Sequence, residues 1–400
     1  MSKTILSVSL VVVVSLIVAE VVARFIFGLA PLEMQNPYQP VFALAERDQS
    51  SPSTDIAAGA SGPGGYGYEH GTFGYYYTGR TPLPRSSTAL ADFLFDHRLS
   101  RYSAEKIDAI ACAQPRSLGV FVLGASVAQG HSARSKEATW HALLEGRLRQ
   151  ALGRDDVYLF NGAMGGYLSL QDKLAYHMAV APRQARVVLF LNSWNDLLLP
   201  AYSATRPGDP FVLGVRFEQT FSDGFLFWLA KHSGIVNTLV QNEAKSAVQT
   251  YARRLAHDDG FFNRYADKVT DIYLQNMSDV LTDCQMHGRF CLVAIPPTRP
   301  LAALDIGRPA GEIVPDRRVA ALFELLMKKI DASPFRAQFA DLTHLFDAPD
   351  LIEHFTDSVH IDEAGQKILA DRLFEPMLNG LRTVEELHST WMPSDGKSCR

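Results

Sequence analysis

From about residue 116 the chain alternates short, wholly apolar runs with longer segments whose apolar residues recur at helical spacing. Residues 118–123 (LGVFVL), 157–160 (VYLF), 186–191 (RVVLFL) and 289–295 (RFCLVAI) carry the continuous hydrophobicity of strands buried on both faces. A shorter strand is predicted at 338–342. Residues 136–152 place Trp140, Leu143, Leu144, Leu148 and Leu152 on one helical stripe, and 170–181, 317–330 and 363–378 also predict helices. Strands that alternate with helices pair in parallel, and helices cover the sheet on both faces. The predicted fold is therefore a doubly wound α/β domain. The stretch 197–261 interrupts this rhythm and reads as an insertion with helices of its own. In such folds the loops at the carboxyl ends of the strands carry the chemistry.

The first hundred residues follow a different pattern. Residues 5–19 are apolar except for Ser7, Ser9 and Ser15, and Glu20 and Arg24 then fall on one helical face, where they can pair. A bilayer crossing takes about 20 residues. The segment 4–23 fits that length, which predicts an N-terminal transmembrane helix. Lys3 ahead of the span favours a cytoplasmic N-terminus and an extracytoplasmic, periplasmic remainder, and Arg24 weakens that asymmetry. One rival is a signal peptide cleaved after Val21-Val22-Ala23, which would export the same remainder. The other is a buried globular helix. Residues 49–65, rich in Ser, Ala, Gly and Pro, read as a flexible linker. Tyr66, Tyr68, Phe73, Tyr75, Tyr76 and Tyr77 follow, either as a sugar-facing surface or as rings packed onto the domain. The expected divisions are an anchor at 1–30, a linker and aromatic lead-in at 31–115, the α/β domain at 116–385 and a tail at 386–400.

Composition removes several function classes. The 38 basic and 43 acidic residues leave a formal charge of −5, which excludes a broad basic nucleic-acid footprint. Four cysteines in 400 residues cannot build a disulfide scaffold. There is no CxxC and no Cys/His cluster with zinc spacing, so no metal is expected. Neither GxxxxGK nor GxGxxG in a dinucleotide context occurs, so no phosphate loop is spelled and no cofactor is expected. Cys284 and Cys291 lie seven apart and either pair in an oxidising compartment or remain buried thiols.

The strand-end loops hold reactive groups. After the first strand, Gly124-Ala125-Ser126 sets a serine on a tight turn beside free backbone N–H groups. That suits a nucleophile with an oxyanion hole, and equally a plain helix cap. After the second strand, Gly162, Gly165 and Gly166 allow close backbone approach to a ligand. After the third, Asn195-Asp196 offers a side-chain amide to the crevice, or simple turn chemistry. Before the last helix, Asp357 precedes His360 by three residues. A carboxylate so placed can hold the imidazole through Nδ1–H and leave Nε2 to take a proton from a serine. A second such pair exists, Asp341 and His344, with Asp341 in or beside a strand. The later pair is preferred by position, because Asp362 can cap the following helix and steady the loop. His131 and His354 are lesser rivals suited to solvated surface positions.

Taken in order, these four loops resemble the SGNH (GDSL-type) hydrolase superfamily over roughly residues 116–380, with the insertion unmatched. The resemblance implies a flavodoxin-like three-layer α/β/α sandwich. It implies Ser126 as nucleophile, Asp357 and His360 as orienter and base, and Gly166 and Asn195 as oxyanion donors. The N-terminal span followed by Ala30-Pro31 is similar to the membrane-tethered, extracytoplasmic bacterial branch. Two positions depart from the pattern: Ala125 replaces the usual Asp before Ser, and Ser193 the usual Gly two before Asn. The expected function is an exported serine esterase acting on an acyl ester, such as an O-acetyl carbohydrate or a small molecule. An O-acyltransferase on an envelope polysaccharide would use the same residues. A non-catalytic binding or assembly protein on this fold is the third reading, suggested by Ala125 and Ser193.

Overall fold

The computed structural model describes residues 94–203, 207–208, 233–305, 314–385 and 392, with positions 15, 18–20 and 22 near the N-terminus. Most of the predicted membrane span, the linker and the aromatic lead-in lie outside the described residues. No helix among the described residues is long and apolar enough to cross a membrane.

Five parallel strands form one sheet among the described residues: β1 (Leu118–Gly124), β2 (Val157–Asn161), β3 (Val187–Leu191), β4 (Phe290–Ile295) and β5 (Phe339–Asp341). Every residue of β1, β2 and β3 is buried, which accounts for their unbroken apolar sequences. The spatial order is β2-β1-β3-β4-β5. This is the flavodoxin-like order, and its winding reverses between β1 and β3. Because crossovers are right-handed, the reversal puts the connecting helices on opposite faces. The helix α3 (Trp140–Leu152) packs with the C-terminal helix α10 (Glu363–Glu385), while α4 (Ser169–Ala175) packs with α7 (Asp259–Met286), and α7 with α9 (Asp316–Asp331).

The core begins before β1. Leu94 and Phe95 are fully buried, and α1 (Ala104–Ala113) inserts Ile107. A buried ion pair between Asp108 and Arg183, at 3.2 Å, ties α1 to the segment that enters β3. The predicted helix 170–181 differs in detail. The α-helix stops at Ala175, π-helical winding runs through Tyr176–Val180, and a 3₁₀ turn holds Ala181–Arg183. Pro182 explains the break, since it offers no N–H to continue the ladder. The interruption after β3 contains α5 (Trp194–Ser203) and the long helix α6 (Gly234–His257), which leads through Asp258 into α7. Ser233 caps α6 by accepting from the Val236 N–H, and Ser233 in turn donates to Glu20 at 2.7 Å. Cys284 and Cys291 are joined in a disulfide between the end of α7 and β4, and Cys112 is disulfide-bonded as well.

Candidate active site

The ends of β1 and β3 lie level across the winding reversal, with Gly124 in register with Leu191. Gly124 has φ +139°, and a Cβ there would come 2.2 Å from the Leu191 carbonyl oxygen, so no other residue fits. This close approach lets the chain turn at once into α2 (Ser126–Gln129), a single helical turn that carries Ser126 on its first position. First-turn N–H groups have no helical acceptor. The Ser126 N–H is accordingly without a partner among the described residues. Gly130 closes the turn in the left-handed region at φ +82°.

The loop after β2 continues along β1. Gly162 N–H donates to the Val122 carbonyl and Met164 N–H to the Gly124 carbonyl, which carries the glycines to the side of Ser126. A Cβ on Gly165 would sit 3.9 Å from Ser126 Cβ. Gly166 is half-buried with φ +82°, and its N–H has no acceptor among the described residues. The Asn195 amide donates to the Tyr167 carbonyl at 2.8 Å, which leaves its second proton free. Three donors therefore stand on contiguous loops at one end of the sheet.

Asp357 and His360 arrive on the loop between β5 and α10. An antiparallel bridge between Phe355 and Ile361 pinches its base, and the Thr356 N–H donates to the His360 carbonyl at 2.8 Å. Asp357 Oδ1 accepts from the N–H groups of Val359 and His360, each at 2.8 Å, the Asx turn that an Asp two and three residues upstream can make. That turn sets Asp357 Oδ2 2.5 Å from His360 Nδ1. His360 Nε2 meets Ser126 Oγ at 2.7 Å, across 234 residues of sequence. Burial alone would raise the Asp357 pKa. The His360 imidazole and the two backbone N–H groups outweigh it and hold the carboxylate well below its usual range. Asp362 accepts from the Gly365 N–H at the start of α10, the capping role expected of it.

The rival pair does not form. Asp341 ends β5 and turns back onto Thr343, while the exposed His344 contacts Asp347 instead. His354 is half-buried and contacts Asp362 at 3.2 Å. His131, expected at a solvated surface, is placed otherwise: its ring lies 4.5 Å from that of His360. The reason is the left-handed Gly130, which folds the chain back so that His131 N–H donates to the Ser126 carbonyl.

Behind the loops lies a buried polar layer that sequence reasoning missed. Asp172 on α4 accepts from Asn192 Nδ2 at 2.5 Å, and Tyr273 donates to Asn192 Oδ1 at 2.9 Å. Asp196 accepts from Ser169 N–H and Oγ, and Asn276 donates to that same hydroxyl. Burial pushes the carboxyls of Asp172 and Asp196 up to about 8 and about 7, against the lowering effect of these donors. Gln366 on α10 is fully buried, accepts from Trp140 N–H and donates to the His131 carbonyl. Polar residues on otherwise apolar helix faces were the one available signal for Asp172 and Gln366.

Two departures from the SGNH pattern have visible consequences. Ala125 keeps its side chain buried and makes no capping bond to α2. Ser193 has φ +145°, a left-handed-side conformation natural to glycine, and its buried hydroxyl has no hydrogen-bond partner. Among the described residues no cluster of His, Cys, Asp or Glu is arranged to hold a metal ion.

No family model matches the chain, and no curated protein does. Several solved structures share part of its shape. The acetyl xylan esterase AlAXEase is 16% identical with a TM-score of 0.40, over 65% of this chain and 99% of its own. The lipase Lip_vut3 from a goat rumen metagenome is 13% identical with a TM-score of 0.39, over 67% of this chain and 100% of its own. A putative lipolytic protein of the G-D-S-L family from Desulfitobacterium hafniense is 8% identical with a TM-score of 0.37, over 65% of this chain and 99% of its own.

Proposed function

We propose that the chain is an SGNH-type serine ester hydrolase, acting through Ser126, His360 and Asp357 on an acyl ester. The observation that carries this reading is the unbroken hydrogen-bonded path from Ser126 Oγ through His360 to Asp357. Nucleophile, base and orienter are the three parts a two-step acyl transfer needs. His360 Nε2 takes the Ser126 proton as Oγ attacks the ester carbonyl. The backbone N–H groups of Ser126 and Gly166 and the free Asn195 amide proton receive the negative charge on the carbonyl oxygen. Asp357, held ionised, orients the imidazole and stabilises the imidazolium. His360 then protonates the leaving alcohol, and a water activated by the same imidazole releases the acyl group. No step needs a cofactor.

Export is part of the proposal. Two features support it: the apolar run at 5–19 behind Lys3, and the disulfide-bonded state of Cys112, Cys284 and Cys291. Disulfides persist in oxidising compartments. A phosphatase reporter that folds only outside the cytoplasm, fused after residue 65, is expected to be active in a bacterial host. A full-length fusion that accumulates without phosphatase activity refutes the orientation.

A fluorophosphonate probe tests the chemistry. It reacts with an activated serine regardless of the natural ester. Labelling of the folded protein, lost in Ser126→Ala and in His360→Ala, is the expected result. Absence of labelling in folded wild-type protein refutes the hydrolase and supports a binding role for the fold.

A further inference from the structure

His131 is fixed from both sides of the triad. Its N–H donates to the carbonyl of Ser126 at 3.0 Å, and its own carbonyl accepts from Gln366 on α10, which also donates to the Ile361 carbonyl beside His360. The backbone of residue 131 is therefore tied to the nucleophile's turn and to the base's loop at once. Ser132 strengthens that link, with its hydroxyl 3.2 Å from that of Thr356. The side chain does something different. Its ring lies 4.5 Å from the His360 ring at an interplanar angle of 48°, and it makes no hydrogen bond among the described residues.

We propose that His131 is a positioning residue for the base: its ring walls the His360 imidazole, holds it in the plane that joins Ser126 to Asp357, and stays uncharged while the imidazolium forms. The inference rests on the triad reading above. A ring contact of this distance and tilt is the ordinary range for favourable aromatic pairs. Without the wall, His360 has one fewer surface against which to resist rotation away from Ser126 Oγ. A base that spends less time in line lowers kcat more than substrate binding.

The wall works only if it is neutral, since a second cation at this distance opposes the imidazolium. The His131 pKa is lowered to about 4, chiefly by burial, with His360 and Arg98 acting in the same direction and Asp357 opposing them. These are the charged and titratable groups that face it: Arg98 from the turn before α1, and Asp357 and His360 from the loop before α10. Gln366, the contact from α10 itself, carries no charge.

The test uses the full chain, p-nitrophenyl acetate and the fluorophosphonate probe. His131→Ala is expected to lower kcat about tenfold or more with KM changed less than about twofold, and to slow labelling of Ser126 by a similar factor. His131→Phe keeps a ring without a titrating nitrogen. It is expected to recover kcat to within about threefold of wild type at pH 7.5. The acid side of the kcat/KM profile adds a readout that packing alone would not move. Wild type should show a second protonation below about pH 5 that His131→Phe lacks. Equal activity of wild type and His131→Ala overturns the proposal, as does His131→Phe no better than His131→Ala with both folded. Either result leaves the triad standing, whereas unlabelled wild-type protein removes both.

Discussion

Asn195 donates its amide to the carbonyl of Tyr167 at 2.8 Å, joining the loop after β3 to the glycine loop after β2. The bond fixes the glycine loop one residue from Gly166. On the proposed reading, substituting Asn195 removes one oxyanion donor and loosens a second.

Asn195→Ala is therefore expected to lower kcat by about 10²- to 10³-fold, the usual loss for one oxyanion donor, with KM nearly unchanged. Steady-state kinetics on p-nitrophenyl acetate check it. A change confined to KM would make Asn195 a residue that binds substrate.

The choice between the two Asp-x-x-His pairs is tested by four single variants and one double variant. Ser126→Ala and His360→Ala should each reduce kcat by about 10⁴-fold or more, and the double variant little further, because the two act as a unit. Asp357→Ala should retain more activity than either. His344 is exposed and contacts Asp347, away from Ser126, so His344→Ala should leave kcat within about twofold. Loss of activity in folded His344→Ala, with His360→Ala active, would move the base to His344.

Ser193 combines a backbone conformation that disfavours a Cβ with a buried hydroxyl that makes no bond. Each feature costs of order 1 kcal/mol or more, and glycine gives back roughly 0.5–1 kcal/mol in unfolded-chain entropy. Ser193→Gly is expected to raise the urea midpoint by an amount equivalent to about 1 kcal/mol. Ser193→Ala, which removes the hydroxyl alone, should gain less. A destabilised glycine variant would show that the conformation is not strained.

The buried carboxyls of Asp172 and Asp196 set a pH dependence of stability. Their folded pKa values, about 8 and about 7, lie above the ordinary carboxyl value of 3.8, so the folded state holds protons that the unfolded chain has released. Stability therefore falls as pH rises from about 4 towards 8, by up to about 1.4 kcal/mol per unit for each group. His97, His131 and His141 act in the opposite sense: burial lowers them to about 4, about 4 and about 3, and their share is lost as pH falls below about 6.5. Urea unfolding should show greatest stability near pH 6 to 7. Asp172→Asn should flatten the alkaline side, and an unchanged slope would show that Asp172 is ionised in the fold at neutral pH.

Four of the predicted strands and the loops that follow them were legible in sequence because a strand covered on both faces has no polar position to blur it. Asp357 and His360 were legible for a local reason: the turn that aligns them is written in three residues. What sequence did not show depends on contacts between distant parts. His131 reads as a surface residue until Gly130 turns the chain back and Gln366, 235 residues on, donates to its carbonyl. Asp172 reads as one more polar residue on a helix until Asn192 and Tyr273 close the buried layer around it. The end of α4 was misplaced because periodicity cannot distinguish α from π winding.

The 234 residues between Ser126 and His360 also order events in time. The loop that carries His360 follows all five strands, so a growing chain holds Ser126 and the glycine loop long before the imidazole that meets the serine hydroxyl has been made. On the proposed reading, a chain still short of this loop has no base for its serine, and the triad closes only when Gln366 reaches the His131 carbonyl and the two ends of the domain meet.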